Sequence, residues 1–201
     1  MGKGEQTRLT VLAQAADLAA RQGLSTLTIG DLAARAQLSK SGLFAHFRSK
    51  EALQLAVLAY ARDKFTDEVI RPATRTPRGE PRVRALFEHW LEVSRRTNAE
   101  CLFVSASAEY DDQPGPVRDQ LVRDHRDCAE SVAQMFRTGI AEGDFREDAE
   151  PEQFAFELHG IMLGFFHAHR LLGDPKADER ARRAFEAVLA ASRAPAAVPA
   201  G

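Results

Sequence analysis

The sequence predicts an all-α chain, with a small three-helix head at the N-terminus and a larger helical body behind it. Three observations carry that expectation. Apolar residues recur at three- and four-residue spacing, helix-start and helix-stop residues punctuate the chain at regular intervals, and no segment shows the sustained alternation and β-branched enrichment of a strand. With 201 residues, 44% of them apolar, the chain is long enough to bury a substantial core.

Leu9, Leu12, Ala16 and Ala19 form the apolar face of a first helix, which Gly23 is placed to end. Three helix starts then fall close together. Thr28-Ile29-Gly30-Asp31 has the form of a capping box, with the Thr28 hydroxyl available to the third backbone N–H and Asp31, shorter than the usual Glu, placed to reach back. Leu27 and Leu32 flank it at hydrophobic-staple spacing. Ser39 repeats the device with Leu38 and Leu43. Ser49 repeats it again, with Glu51 in the first turn and Leu53 beyond. The expected helices run over 28–35, 39–46 and from 50 onward. The middle one spans only two turns and must be held by packing, for which Leu32, Leu38, Leu43 and Phe47 are available. A break is expected over Pro72 to Pro81, then helices near 81–97, 100–109, 115–141, 151–172 and 176–192. The Ala/Pro-rich stretch 194–201 reads as a disordered tail.

Charge is divided unevenly. Residues 1–50 hold seven Lys and Arg against three acids, a net of +4, while the remainder holds 20 against 26, a net of −6. A basic head on an acidic body suits a nucleic-acid partner. Lys40, Ser41, His46, Arg48 and Lys50 are donors for phosphates and base edges, and Ser41 and Gly42 are small enough for close backbone approach. Steeply crossing helices joined through Ala36 to Leu38 would make a DNA-reading helix-turn-helix. Spacing alone would equally serve a three-helix packing module with a solvated basic face.

The run from Thr28 to Leu53 resembles the DNA-binding signature of the TetR family of bacterial regulators. Behind a capped short helix it carries Phe44-Ala45-His46-Phe47-Arg48-Ser49-Lys50-Glu51-Ala52-Leu53, and Ala15-Ala16 and Gly23 are also in place. The resemblance implies DNA contacts by Thr28, Ser39, Lys40, Ser41, Gly42, Phe44 and His46, with Lys50 clamping a backbone phosphate. Two positions depart from the pattern: Phe44 stands where Tyr is common, and Gln37 where a turn glycine is common. The implied organisation is a DNA-binding domain over 1–50 with its motif at 28–47, a connecting helix over 51–72, and a ligand-binding and dimerisation domain over 80–193. The implied function is transcriptional regulation. A homodimer would sit on palindromic double-stranded operator DNA, and a small-molecule inducer would release the repressor; activation by the same fold is the alternative.

In the body, Phe87, Trp90, Phe103, Val104, Met135, Phe136, Phe154, Met162 and Phe165 could line an inducer pocket or be ordinary core. His89, Glu100, Tyr110 and His125 are polar candidates for the same pocket. Gly160 and Gly164 let helices approach closely, which suits a dimer interface built from the last two helices.

Other classes find little support. No paired nucleophile and base, Gly-rich phosphate loop or cofactor motif points to an enzyme. On a regular helix His167 and His169 lie about 200° apart, and His159 and His167 about 12 Å apart along the axis, which argues against a shared metal. Cys101 and Cys128 are widely separated, as expected of free thiols in a reducing compartment. No apolar run approaches a membrane span, and the first residues lack the apolar region of a signal peptide, so the expectation is a cytoplasmic protein.

Overall fold

The computed structural model describes residues 2–35, 38–97 and 101–195. In order, the α-helices are α1 (Lys3–Gln22), α2 (Ile29–Arg35), α3 (Lys40–Phe47), α4 (Lys50–Phe65), α5 (Arg71–Thr74), α6 (Glu80–Arg96), α7 (Leu102–Tyr110), α8 (Pro116–Ala141), α9 (Pro151–Phe166) and α10 (Ala177–Ser192). Among the described residues there is no strand, only an isolated antiparallel bridge between Phe145 and Arg193. The expected all-α class holds, as do most of the expected boundaries.

The chain divides into two compact units. One comprises Met1–Thr66 with Glu100–His125, the other Asp67–Ala99 with Arg126–Gly201. In the first, α1 packs on α4 and α7, while α2, α3 and α4 pack in sequence around a common core. Leu12, Ala15, Ala19, Leu27, Leu32, Leu43, Phe47, Leu53 and Val57 fill that core together with Leu102, Ala106 and Tyr110 of α7 and Leu121 of α8. The sequence placed α7 and the start of α8 with the C-terminal body, whereas their packing partners here are the N-terminal helices.

In the second unit α5 packs on α6 and α9 on α10. Aromatic side chains stack through its interior. Phe87 lies on Phe185 at 4.0 Å between ring centroids, and Phe136 stacks with both Phe145 and Phe154 at 4.3 Å, the latter two being 6.4 Å apart. An ion-pair network ties its helices together at the surface. Glu80 accepts from Arg84 and Arg193, and Arg84 also pairs with Glu186. The start of α6 takes its cap from elsewhere in the chain: Gly79, at φ +90°, leaves room for the Asp144 carboxylate, which accepts the Glu80 N–H at 2.8 Å.

The expected break from Pro72 begins later than the sequence indicates. Pro72 lies inside α5, which follows a wide π-type turn over Thr66–Ile70. A proline in a continuing helix clashes with the carbonyl four residues before it and donates no N–H; a widened turn just upstream makes room for the ring. The irregular connection is therefore residues 75–79. A second π-type turn, His167–Leu171, closes α9, and Gly173 at φ +61° ends it.

Candidate nucleic-acid interface

All three expected caps form. The Thr28 hydroxyl accepts the Asp31 N–H at 3.1 Å, Ser39 Oγ accepts the Gly42 N–H at 3.0 Å, and Ser49 Oγ accepts the Ala52 N–H at 3.0 Å. Each side chain satisfies one of the donors that a helix start leaves without an intrahelical partner. The first cap departs from a capping box in one respect. Asp31 turns its carboxylate to the Thr28 hydroxyl, accepting at 2.6 Å, because its side chain is one methylene shorter than the Glu of a full box.

Packing fixes which face of α3 is presented. Leu43 and Phe47 point into the core, while Ser41, Gly42, Phe44, Ala45 and His46 are exposed. Phe44 is 56% exposed, unusual for so large an apolar ring. Arg8 of α1 lays its guanidinium over the Phe47 ring, 5.4 Å from the centroid. α3 ends at Arg48, whose φ of +59° lies in the left-handed region. Its N–H returns to the Phe44 carbonyl at 2.8 Å and so closes the helix at a cost in backbone strain. The side chain of Lys40 and residues Ala36, Gln37 and Glu100 lie outside the described residues.

Lys50 is exposed, and its Nζ donates to the Ser25 carbonyl. That turn between α1 and α2 is held on its other side by α7. The Glu109 carboxylate accepts the N–H groups of Leu24, at 3.0 Å, and Ser25, at 2.7 Å. Gly23 at φ +99° brings the backbone so close to Glu109 that an added Cβ would lie 2.8 Å from Oε1. Gln54 of α4, only 5% exposed, donates to both the Leu24 carbonyl and the Tyr110 hydroxyl at 2.9 Å. Burial raises the Tyr110 pKa and keeps the phenol protonated. Sequence reasoning named none of these turn contacts, which join residues 25 to 85 positions apart. The available signal was a tight turn whose backbone donors needed an acceptor.

The residues named as pocket candidates do not gather in one unit. Phe103, Tyr110 and His125 belong to the first, where His125 bonds Ser107 at 2.7 Å and burial lowers its pKa. Phe87, Trp90, Met135, Phe136, Met162 and Phe165 are buried in the second. His89 belongs there too. Among the described residues no group of three His, Cys, Asp or Glu is placed to hold a metal, and no helix is long and apolar enough to cross a membrane.

A capped three-helix head with a two-turn helix exposed on its surface, alongside a second helical unit, is the build of a helix-turn-helix DNA-binding regulator. Residues 11–57 match the model for bacterial regulatory proteins of the tetR family, and residues 79–185 that for the tetracyclin repressor-like C-terminal domain. The chain belongs to the TetR family of bacterial transcriptional regulators. Similar solved structures span nearly its whole length. A TetR-family regulator from Cytophaga hutchinsonii is 17% identical at a TM-score of 0.83, covering 98% of this chain and 99% of that one. A TetR regulator from Chloroflexus aurantiacus is 26% identical at 0.78, covering 94% and 96%. AibR, solved with isovaleryl coenzyme A and operator DNA, is 21% identical at 0.70, covering 94% and 99%. No curated protein matches the sequence.

Proposed function

We propose that this regulator is a cytoplasmic, ligand-responsive repressor that binds a palindromic operator as a homodimer through α3 and is released by a small-molecule inducer. The observation that carries the reading is the exposure of α3 beside two further capped helix starts. Its apolar side is held by Leu43 and Phe47, which leaves Ser41, Gly42, Phe44 and His46 free to enter a major groove. The other proposed contacts are Thr28, Ser39, Lys40 and Lys50, with the N-termini of α2, α3 and α4 adding backbone donors and partial positive charge.

The proposed division of labour assigns DNA binding to residues 1–50, connection to 51–72, and ligand binding and dimerisation to 80–193; within that last span, α7 packs with the head. The dimer face is α9 with α10. Phe156, Gly160, Leu163 and Gly164 are exposed along one stripe of α9, with Phe156 74% exposed, and Ala184, Ala187 and Ala191 are exposed on α10. Large apolar and small residues side by side suit a four-helix bundle made with a second copy. Phe87, Trp90, Met135, Phe136, Met162 and Phe165 are the proposed inducer contacts in this unit; Phe87, Phe136 and Phe165 also stack on neighbouring rings. The AibR complex with both a coenzyme A ester and operator DNA supports a two-ligand mechanism for this fold. The inducer would favour a conformer whose two α3 helices no longer match one turn of DNA, with a coupling energy of about 1–3 kcal/mol.

The test is footprinting and gel shift on the DNA upstream of the chain's own gene, with light scattering for the oligomer. A protected palindrome bound by a dimer is expected. Absence of any retained DNA at low salt overturns the reading.

A further inference from the structure

We propose that Glu109 is a positioning residue for DNA binding: its carboxylate caps the α1–α2 turn and thereby sets the position of Lys50, the cation proposed to clamp a phosphate. This inference rests on the DNA-binding reading above and deepens it.

The argument follows a chain of bonds within one unit. Leu24 and Ser25 lie between the last turn of α1 and the cap of α2, and both of their N–H groups are donated to the two oxygens of one carboxylate, at 3.0 and 2.7 Å. Two backbone donors on a charged acceptor are stronger than neutral pairs and fix the orientation of the turn. The Ser25 carbonyl, on the opposite side of that residue, takes the Lys50 ammonium. Gln54 adds a second tie from α4, through the Leu24 carbonyl to the Tyr110 hydroxyl. Glu109 and Tyr110 are thus adjacent residues of one short helix, and together they reach both sides of the turn.

The partition of the chain makes this more than local stabilisation. α7 lies within residues 79–185, which match the C-terminal domain model, yet it packs among the helices of the DNA-binding head. A helix belonging by sequence to the regulatory part therefore supplies the acceptor on which a DNA-binding turn is built. Loss of the Glu109 carboxylate leaves two part-buried N–H groups in need of partners. The turn relaxes, the Ser25 carbonyl moves, and Lys50 loses the tether that holds its ammonium in place.

The test uses the full chain and the duplex that the wild-type protein selects from random-sequence DNA. Glu109→Gln keeps the size of the side chain but offers one acceptor oxygen for two N–H donors. Affinity is expected to fall about 5- to 20-fold, and the slope of log K against log salt to become shallower by about one, as for a lost phosphate contact. In a Lys50→Ala background the further loss should shrink to under about twofold, because both changes remove the same contact. A purely structural role would lower the unfolding midpoint, leave the salt slope unchanged and add to Lys50→Ala. If Glu109→Gln does not fold at the assay temperature, Glu109→Asp, too short to reach both N–H groups, is expected to show the same change of slope. Wild-type affinity and slope in the folded variant, or full additivity with Lys50→Ala, overturns the inference. Failure of the wild-type chain to select any duplex instead overturns the DNA-binding reading and this inference with it.

Discussion

The start of α3 allows a quantitative test, because its cap and its glycine compete for the same space. Ser39 Oγ accepts the Gly42 N–H at 3.0 Å and lies 3.2 Å from Ser41 Oγ, so it has little room to move. A Cβ added at Gly42 would stand 3.0 Å from that same oxygen. Ser39→Ala removes the cap and should cost about 1 kcal/mol, the usual worth of an N-cap hydroxyl. Gly42→Ala should gain about 1 kcal/mol of helix propensity but lose most of it by displacing the hydroxyl, for a net change near zero. In the Ser39→Ala background that displacement disappears and the full gain returns. The cycle therefore predicts a coupling of about 1 kcal/mol, the double variant being close to wild type in stability. Urea unfolding followed by tyrosine emission reads the correct region, since Tyr60 and Tyr110, the two tyrosines of the chain, both belong to the unit that contains α3. A Gly42→Ala gain equal in both backgrounds, within about 0.3 kcal/mol, would refute the competition.

Lys50→Ala should weaken DNA binding about uniformly across sequences and make the salt slope shallower by about one; gel shifts at three salt concentrations read this, and an unchanged slope removes Lys50 from the phosphate contacts. Glu80 is held down to about 2 by the hydrogen bonds of Arg193 and Arg84, against burial acting the other way. Its folded pKa lies below the unfolded 4.5, so its contribution is fully present above pH 4.5 and is lost as the pH falls from there toward about 2. That interval converts to roughly 3 kcal/mol, which screening at the half-exposed arginines reduces to about 1–2. Glu80→Gln should lower stability by that amount at pH 7 and flatten the loss between pH 4.5 and 2, followed by Trp90 fluorescence in the same unit. Leu163→Asp, on the exposed stripe of α9, should convert a dimer to monomer without changing helicity; an unchanged mass in light scattering would place the dimer face elsewhere.

How much of this was legible in sequence follows from how far each interaction reaches along the chain. Thr28, Ser39 and Ser49 cap helices through bonds spanning three residues, so residue type and spacing sufficed to place all three starts. Gly23 was legible for the same reason. Pro72 misled because its compensation, the π-type turn at Thr66–Ile70, leaves no mark in hydrophobic spacing. The membership of α7 in the head was out of reach: the Glu109 bonds cross 84 and 85 residues, and an apolar helix carries no label naming its partner. For the same reason the stacking of Phe136 with Phe145 and Phe154, at 4.3 Å each, could not be read from the sequence.

The free head engages two of its proposed phosphate donors internally. Thr28 gives its hydroxyl proton to Asp31, and Lys50 gives a proton to the Ser25 carbonyl. For Thr28, binding DNA would exchange one bond for another, which contributes little net free energy, whereas the Lys50 ammonium, with three N–H donors, can keep the Ser25 carbonyl and add a phosphate oxygen. The affinity must then come chiefly from counterions released by the phosphates, a term indifferent to sequence. Discrimination among operators is left to the outward side chains of α3. Among the described side chains, apart from Ser41 and Ala45, which have little reach, these are His46 and the exposed ring of Phe44. A benzyl ring donates no hydrogen bond, but it can contact a thymine methyl group. In the proposed DNA complex, the exchange of the family's common Tyr for Phe44 would move this position from the phosphate backbone toward the apolar edge of the bases.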